Sequence, residues 1–133
     1  FLVRPAAEAL IRVHLKLKKR GLGIRVFDAY RPHSCQKLLW QYLPDENFVA
    51  HPKNGSRHNR GCSVDVTLND LATGQPVEMP SEFDDFSPRA FRSYKECSPK
   101  AIENRTLLET AMVEEGFIGL PEEWWHFDYH DWR

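Results

Sequence analysis

Cysteine is scarce in this chain, three in 133 residues, and no two of them form a CxxC pair. The sequence therefore offers no structural zinc knuckle. Cys35, Cys62 and Cys97 read as small hydrophobes packed as thiols. Spacing alone argues neither for nor against a Cys35–Cys97 disulfide. A basic excess is also missing, with 18 Lys and Arg against 19 Asp and Glu and a net charge of -1. That balance speaks against a nucleic-acid binder. No apolar run approaches the ~20 residues of a membrane-spanning helix, and the longest candidate is the short LLWQYL of residues 38–43. Arg4 and Glu8 interrupt the first residues, which show no signal-peptide pattern. Repeats, low-complexity tracts and linkers are lacking, so residues 1–133 read as one domain, long enough to build its own core.

What is present is a helical and strand pattern of ordinary globular composition, 41% hydrophobic and 28% charged. Pro5 to Arg20 reads as a helix, with Ala6, Leu10, Val13 and Leu17 at helical spacing and Gly21 as its stop. GIRVFDAY (23–30) reads as a short strand, and RPHSCQKLLWQYL (31–43) as a turn into a second helix between Pro32 and Pro44. Residues 45–57 are polar and read as an exposed loop. CSVDVTL (62–68) alternates as a half-buried strand with Asp65 on its polar side. Residues 69–79 suggest a hairpin connection turning at Gly74, and 80–100 are irregular and aromatic-rich. Ala101 to Glu115 reads as a third helix capped by Gly116, and EWWHFDY (123–129) as a final strand. The expectation is an α+β fold, with helices packed on a small, mainly antiparallel sheet.

His58 and Asp65 lie seven residues apart around Gly61, and Glu123 precedes His126 by three. Hydrolytic zinc sites commonly take three protein ligands and leave one position open. A turn followed by a strand brings His58 and Asp65 towards one point, and His126 joins them if the last strand neighbours that of Asp65. Glu123 is oddly spaced from His126, so in a regular strand the two side chains oppose each other. A bend or bulge is needed to bring both to one side. The helical zinc signature H-E-x-x-H is absent, and His14, His33, His51 and His130 carry no comparable pattern.

The run S-x-H-x-x-G-x-x-x-D from Ser56 to Asp65, followed by E-x-W-H from Glu123 to His126, resembles the zinc D-alanyl-D-alanine peptidases. That superfamily also includes VanY-type carboxypeptidases, phage endolysins and the hedgehog signalling domain. DAYRP (28–32), TGQPVEM (73–79), FDDF (83–86) and NRTLLETAMVEEGF (104–117) are similar to its VanX-type dipeptidase branch, and the similarity runs from Phe1 to about Trp132. Cys62 stands where the family motif usually has Ala or Ser, and reads as packing.

The resemblance implies one Zn2+ per chain, held by His58, Asp65 and His126, with Glu123 as general base and Arg31 bracing the scissile carbonyl. It implies that Asp84 holds the substrate ammonium and Ser56 its carboxylate. The implied substrate is free D-Ala-D-Ala, in cell-wall salvage or glycopeptide-antibiotic resistance. The alternatives are a DD-carboxypeptidase or murein endopeptidase acting on stem peptides, and a non-catalytic zinc-containing binding module. A mere binder needs neither Glu123 nor Arg31. The N-terminal segment that such dipeptidases carry before their first helix is expected to be missing here, either removed or supplied by a second chain, or else absent from a member with a more open site. Nothing in the sequence fixes a compartment, and the resemblance leaves the cytoplasm or periplasm of a bacterium.

Overall fold

A computed structural model describes residues 1–130. Residues 131–133, with Trp132 near the end of the resemblance, lie outside the described residues. The order is α1 (Arg4–Lys18), β1 (Leu22–Asp28), α2 (His33–Tyr42), a 3-10 turn (Arg57–Arg60), β2 (Ser63–Asp70), a second 3-10 turn (Pro88–Ala90), α3 (Pro99–Val113), β3 (Phe117–Leu120) and β4 (Glu123–Tyr129). The four strands form one antiparallel sheet in the order β1-β2-β4-β3. The expected α+β class holds, and the expected helices end within two residues of those observed.

Each helix is set by local chemistry. α1 starts on Pro5 and buries Ala6, Ala9, Val13 and Leu17, a stripe whose two alanines let the backbone approach the sheet closely. α3 starts at Ser98, whose Oγ accepts from the Ala101 amide at 3.0 Å, with Pro99 next. It buries Ala101, Leu108, Ala111 and Met112, and Gly116 at φ 90° lets the chain leave it in a left-handed turn. These two helices share a core with Val64, Val66 and Leu68 of β2 and with Phe117, Trp124, Trp125 and Phe127.

One expectation needs correction. β2 is buried on both faces from Ser63 to Leu68, not half-buried. Val64, Val66 and Leu68 join the helical core, while Ser63 and Asp65 are covered by polar partners on the other face. The segment after β2 turns at Gly74 and returns alongside it as expected, through the antiparallel bridge of Asn69 with Pro76 and bonds from the Asp70 amide to the Gln75 carbonyl and from the Val77 amide to the Leu68 carbonyl. β3 has no counterpart in the sequence reading, because four residues with a glycine carry too little pattern. Cys62 is buried, as packing predicts, and Cys35 and Cys97 are not joined in a disulfide.

Leu108 is fully buried beneath the sheet. Leu108→Ala is expected to cost about 2–5 kcal/mol through lost transfer energy and a residual cavity. Urea unfolding monitored by tryptophan fluorescence checks this.

Candidate active site

The register of the sheet creates the site. Asp65 of β2 pairs directly with His126 of β4, and Ser63 with Asp128. Residues opposite each other in an antiparallel pair share a face, so these four polar side chains gather on one side of the sheet. His58 arrives from the 3-10 turn before β2. Ser56 caps that turn, its Oγ accepting from the His58 amide at 3.2 Å, while the Asn59 side chain accepts from the Ser56 amide at 2.7 Å. Gly61 closes it at φ 68°, and a Cβ there would sit 3.3 Å from the Val3 amide nitrogen.

His58, Asp65 and His126 are buried, and one ligand atom from each lies within 4.8 Å of the others. His126 Nδ1 is 2.9 Å from Asp65 Oδ1 and 3.3 Å from His58 Nε2, which is itself 3.4 Å from Asp65 Oδ1. The edges of a tetrahedron with zinc–nitrogen and zinc–oxygen bonds are about 3.3 Å, so the triangle fits such an ion. The opposite ring nitrogens are pinned, as metal-ligating imidazoles require. His58 Nδ1 lies 2.7 Å from the Ala29 carbonyl, and His126 Nε2 lies 3.0 Å from Asp128 Oδ1. Both rings thereby turn their other nitrogen inward.

The odd spacing of Glu123 and His126 is resolved by the expected bulge. Gly119 pairs with Phe127, but the next β3 residue, Leu120, pairs with Glu123. Trp124, Trp125 and His126 are therefore extra residues relative to β3, and Glu123 Oε2 reaches 3.8 Å from His126 Nδ1. Glu123, Arg31, Asp84 and Ser56 line one cavity with the three candidate ligands, of about 370 Å3. Arg31 donates from Nε and Nη2 to Asp28 Oδ2 at 3.1 and 2.6 Å, and from Nη1 to Gln36 Oε1 at 3.0 Å. The pairing with Asp28 does not remove it from the cavity, because three bonds use three of five N–H groups. Asp84 is the one non-glycine residue with positive φ, 58°, among the described residues. Phe83 beside it stacks on Phe27 at 4.3 Å and meets Trp125 edge-on at 5.6 Å, which anchors the loop.

Sequence reasoning missed Asp128, Ser63, Arg57 and Gln36. Asp128 accepts from Ser63 Oγ at 2.6 Å and pairs with Arg57, so one buried carboxylate serves His126, a hydroxyl and a guanidinium. Its signal was available, since His126 and Asp128 stand two apart in a strand and share a face. Gln36 had no signal. It is the one fully buried residue of a helix whose other side chains are exposed or, for Trp40, half-buried, and it donates to the Ala50 carbonyl at 2.7 Å while accepting from Arg31.

The electrostatics follow from this crowding. For Asp65, burial works to raise the pKa, but the hydrogen bonds and charges of His126 and His58 outweigh it and hold the carboxyl at about 2. Burial likewise opposes the charge on His126, yet Asp128 and Asp65 raise the imidazole to about 9. Asp128 is lowered to about 2, its burial overcome chiefly by His126. Glu123 goes the other way. Burial, reinforced by the negative charges of Asp65 and Asp84 against the pull of His126, pushes it up to about 7. Burial, and then the Asp65 charge, raise Asp84 as well.

A two-histidine, one-carboxylate cluster beside a glutamate, opening from an α+β sheet onto a polar cavity, is an arrangement of the kind that zinc peptidases use. The sequence profile described as D-Ala-D-Ala dipeptidase matches residues 2–132. The chain belongs to the D-Ala-D-Ala dipeptidase family. It is 40% identical over 108 residues to a D-alanyl-D-alanine dipeptidase of Escherichia coli, a match covering 81% of this chain and 55% of that protein. It is 29% identical to one from Enterococcus faecalis, covering 96% of this chain and 72% of the relative. Thus the chain spans about half the length of the Escherichia coli relative and nearly three quarters of the other. In fold it is similar to the vancomycin-resistance D,D-pentapeptidase VanY in complex with Zn(II), with a TM-score of 0.60 and 17% identity, covering 97% of this chain and 72% of VanY. A second such structure is VanYB in complex with D-alanine-D-alanine.

The pKa values set a pH dependence for the metal-free protein. His126 is raised from 6.5 to about 9, so its stabilisation is full below about 6.5 and is lost as pH rises through 9. Glu123, raised from 4.5 to about 7, also costs stability as it ionises on the way up. Asp65 and Asp128, lowered to about 2, stabilise above about 3.8 and lose this as pH falls through 2. With chelator present, urea unfolding is expected to show greatest stability near pH 4–5 and a decline towards pH 9. Added zinc should reverse that decline, because metal takes the place of the proton on His126.

Proposed function

We propose that this chain hydrolyses the free dipeptide D-Ala-D-Ala to two D-alanines, using one zinc ion held by His58, Asp65 and His126. The observation that carries the reading is the placement of Glu123. A buried carboxylate faces a ready-made ligand triangle inside a cavity that also holds a braced arginine. Zinc bound there supplies a Lewis acid that polarises the scissile carbonyl and acidifies water.

The protein's own groups do the rest. Glu123 takes a proton from the attacking water and returns it to the departing amine, since a positioned carboxylate can serve as base and then as acid. Arg31, held flat by Asp28 and Gln36, turns its remaining N–H groups towards the carbonyl oxygen as negative charge grows on it. Asp84 pairs with the substrate ammonium, which relieves the burial that raises its pKa. The Ser56 oxygen already accepts from the His58 amide, so its hydroxyl proton remains free to donate to the substrate carboxylate.

Glu123→Gln keeps the shape of the side chain and removes the proton acceptor. Turnover of D-Ala-D-Ala is expected to fall at least about 10²-fold with one zinc still bound. Zinc content and a D-alanine assay on the same preparation test this, and loss of the metal would show Glu123 to be a ligand.

Substrate size gives a second test. A charge-assisted hydrogen bond between Asp84 and the free ammonium is worth about 1.5–3 kcal/mol. N-acetylation leaves Asp84 facing a neutral amide, and sites built around a polar partner reject analogues that lack it. The kcat/KM for D-Ala-D-Ala should exceed that for N-acetyl-D-Ala-D-Ala by tenfold or more, roughly the size of that bond. Asp84→Ala should narrow the gap. Equal values for wild type would replace the dipeptidase reading with that of a DD-carboxypeptidase.

A further inference from the structure

Arg92 lies outside the cavity, yet its guanidinium is placed against the bulge that brings Glu123 and His126 together. Its Nε donates to the Leu120 carbonyl at 2.8 Å and its Nη2 to the His126 carbonyl at 2.8 Å. Its own amide donates to the Pro121 carbonyl at 2.9 Å. Leu120 is the β3 residue at which the register slips, and His126 is one of the residues left without a β3 partner. A bulge in a buried sheet leaves carbonyls without ladder donors, and each must find one elsewhere. One planar fork supplies two of them, one on each side of the slip.

Three further observations show that the surroundings are shaped around this fork. The guanidinium carbon lies 4.4 Å from the centre of the Phe127 ring. Nη1 faces Glu109 Oε2 of α3 at 3.5 Å, an ion-pair distance without hydrogen-bond geometry. Gly119 has no side chain where the arginine passes, and a Cβ there would fall 2.5–2.6 Å from its Cζ, Nε and Nη2. Arg92 is thus largely buried, and its three nitrogens meet two backbone carbonyls and a carboxylate.

We infer that Arg92 is a positioning residue, which fixes the three-residue bulge of β4 and thereby sets the distance between Glu123 and the ligand nitrogen of His126, with Gly119 kept bare to admit it. The inference rests on the reading of His58, Asp65 and His126 as metal ligands and Glu123 as base. Lysine can reach one carbonyl but cannot fork to both, and methionine can fill the space but donates nothing.

The test compares Arg92→Met, Arg92→Lys and Gly119→Ala with Leu108→Ala, a core variant that serves as a control for lost stability. Each folded variant is titrated with zinc against a chromophoric chelator and assayed for D-Ala-D-Ala turnover. Arg92→Met should weaken zinc binding about 10–100-fold, the range for removing a group that orients a ligand. It should also lower kcat about tenfold or more with KM little changed, since a misplaced base costs rate rather than binding. Arg92→Lys should recover part of both losses. Gly119→Ala should reproduce Arg92→Met, and combining the two should add little further loss, because both remove the same contact. Leu108→Ala should lose stability while keeping zinc affinity and kcat.

Zinc affinity in Arg92→Met no weaker than in Leu108→Ala at a matched loss of Tm would overturn the inference. Full additivity of Gly119→Ala and Arg92→Met would do the same. The zinc titrations decide this whether or not the dipeptide is cleaved. A wild-type chain that binds zinc but leaves D-Ala-D-Ala intact defeats the proposed substrate and not the role of Arg92.

Discussion

The direct pairing of Asp65 with His126 across β2 and β4 is the constraint on which the site depends. The two strands are separated by more than fifty residues of sequence, so nothing local brings these side chains together. A slip of one residue would turn Asp65 into the helical core and Val64 towards the cavity. The apolar set Val64, Val66 and Leu68 forbids that slip, since it would bury a carboxylate against α1 and α3. Hydrophobic alternation on one face of the sheet thus enforces the polar geometry on the other.

The same logic explains why the cluster tolerates burial. Unpaired charges in a protein interior are prohibitive, and this site stacks Asp65, His126 and Asp128 with Ser63 and Arg57 in an unbroken chain of hydrogen bonds. Glu123 stands apart from that chain. It stands 3.8 Å from His126 Nδ1, beyond hydrogen-bond reach, and this partial isolation separates its proton affinity from that of Asp65. Two acids facing one cavity are thereby given different protonation behaviour by their surroundings alone.

Much of this was legible in the sequence, for physical reasons that differ by residue. His58, Asp65 and His126 could be proposed because strand alternation and a turn glycine constrain where such side chains point, and because the paired motifs are specific. The odd spacing of Glu123 and His126 demanded a bulge, and the bulge is present. What holds the bulge was not legible. Arg92 and Gly119 are twenty-seven residues apart in the sequence, and their relation exists only once β3 and β4 are paired. Gln36 looks like a surface residue of α2 until Arg31 and Ala50 close around it. Residues that bond to backbone carbonyls leave no periodic trace, since any nearby carbonyl serves. Charge and hydropathy reveal which residues prefer the interior, not which irregular backbone they satisfy there.

Helix α2 is attached in an unusual way. Its single fully buried side chain is the amide of Gln36, and Leu38 and Tyr42 are largely exposed. Detachment of such a helix breaks polar contacts but uncovers little new apolar surface. Denaturant sensitivity scales with surface uncovered. Opening of α2 is therefore expected to depend less on urea than opening of the sheet does. In hydrogen exchange its amides are expected to follow a shallow, local route that precedes global unfolding. Such an opening would free Gln36 from Arg31, while the Arg31 backbone stays bound to the His58 carbonyl and the Asn59 side chain and its guanidinium to Asp28 of β1.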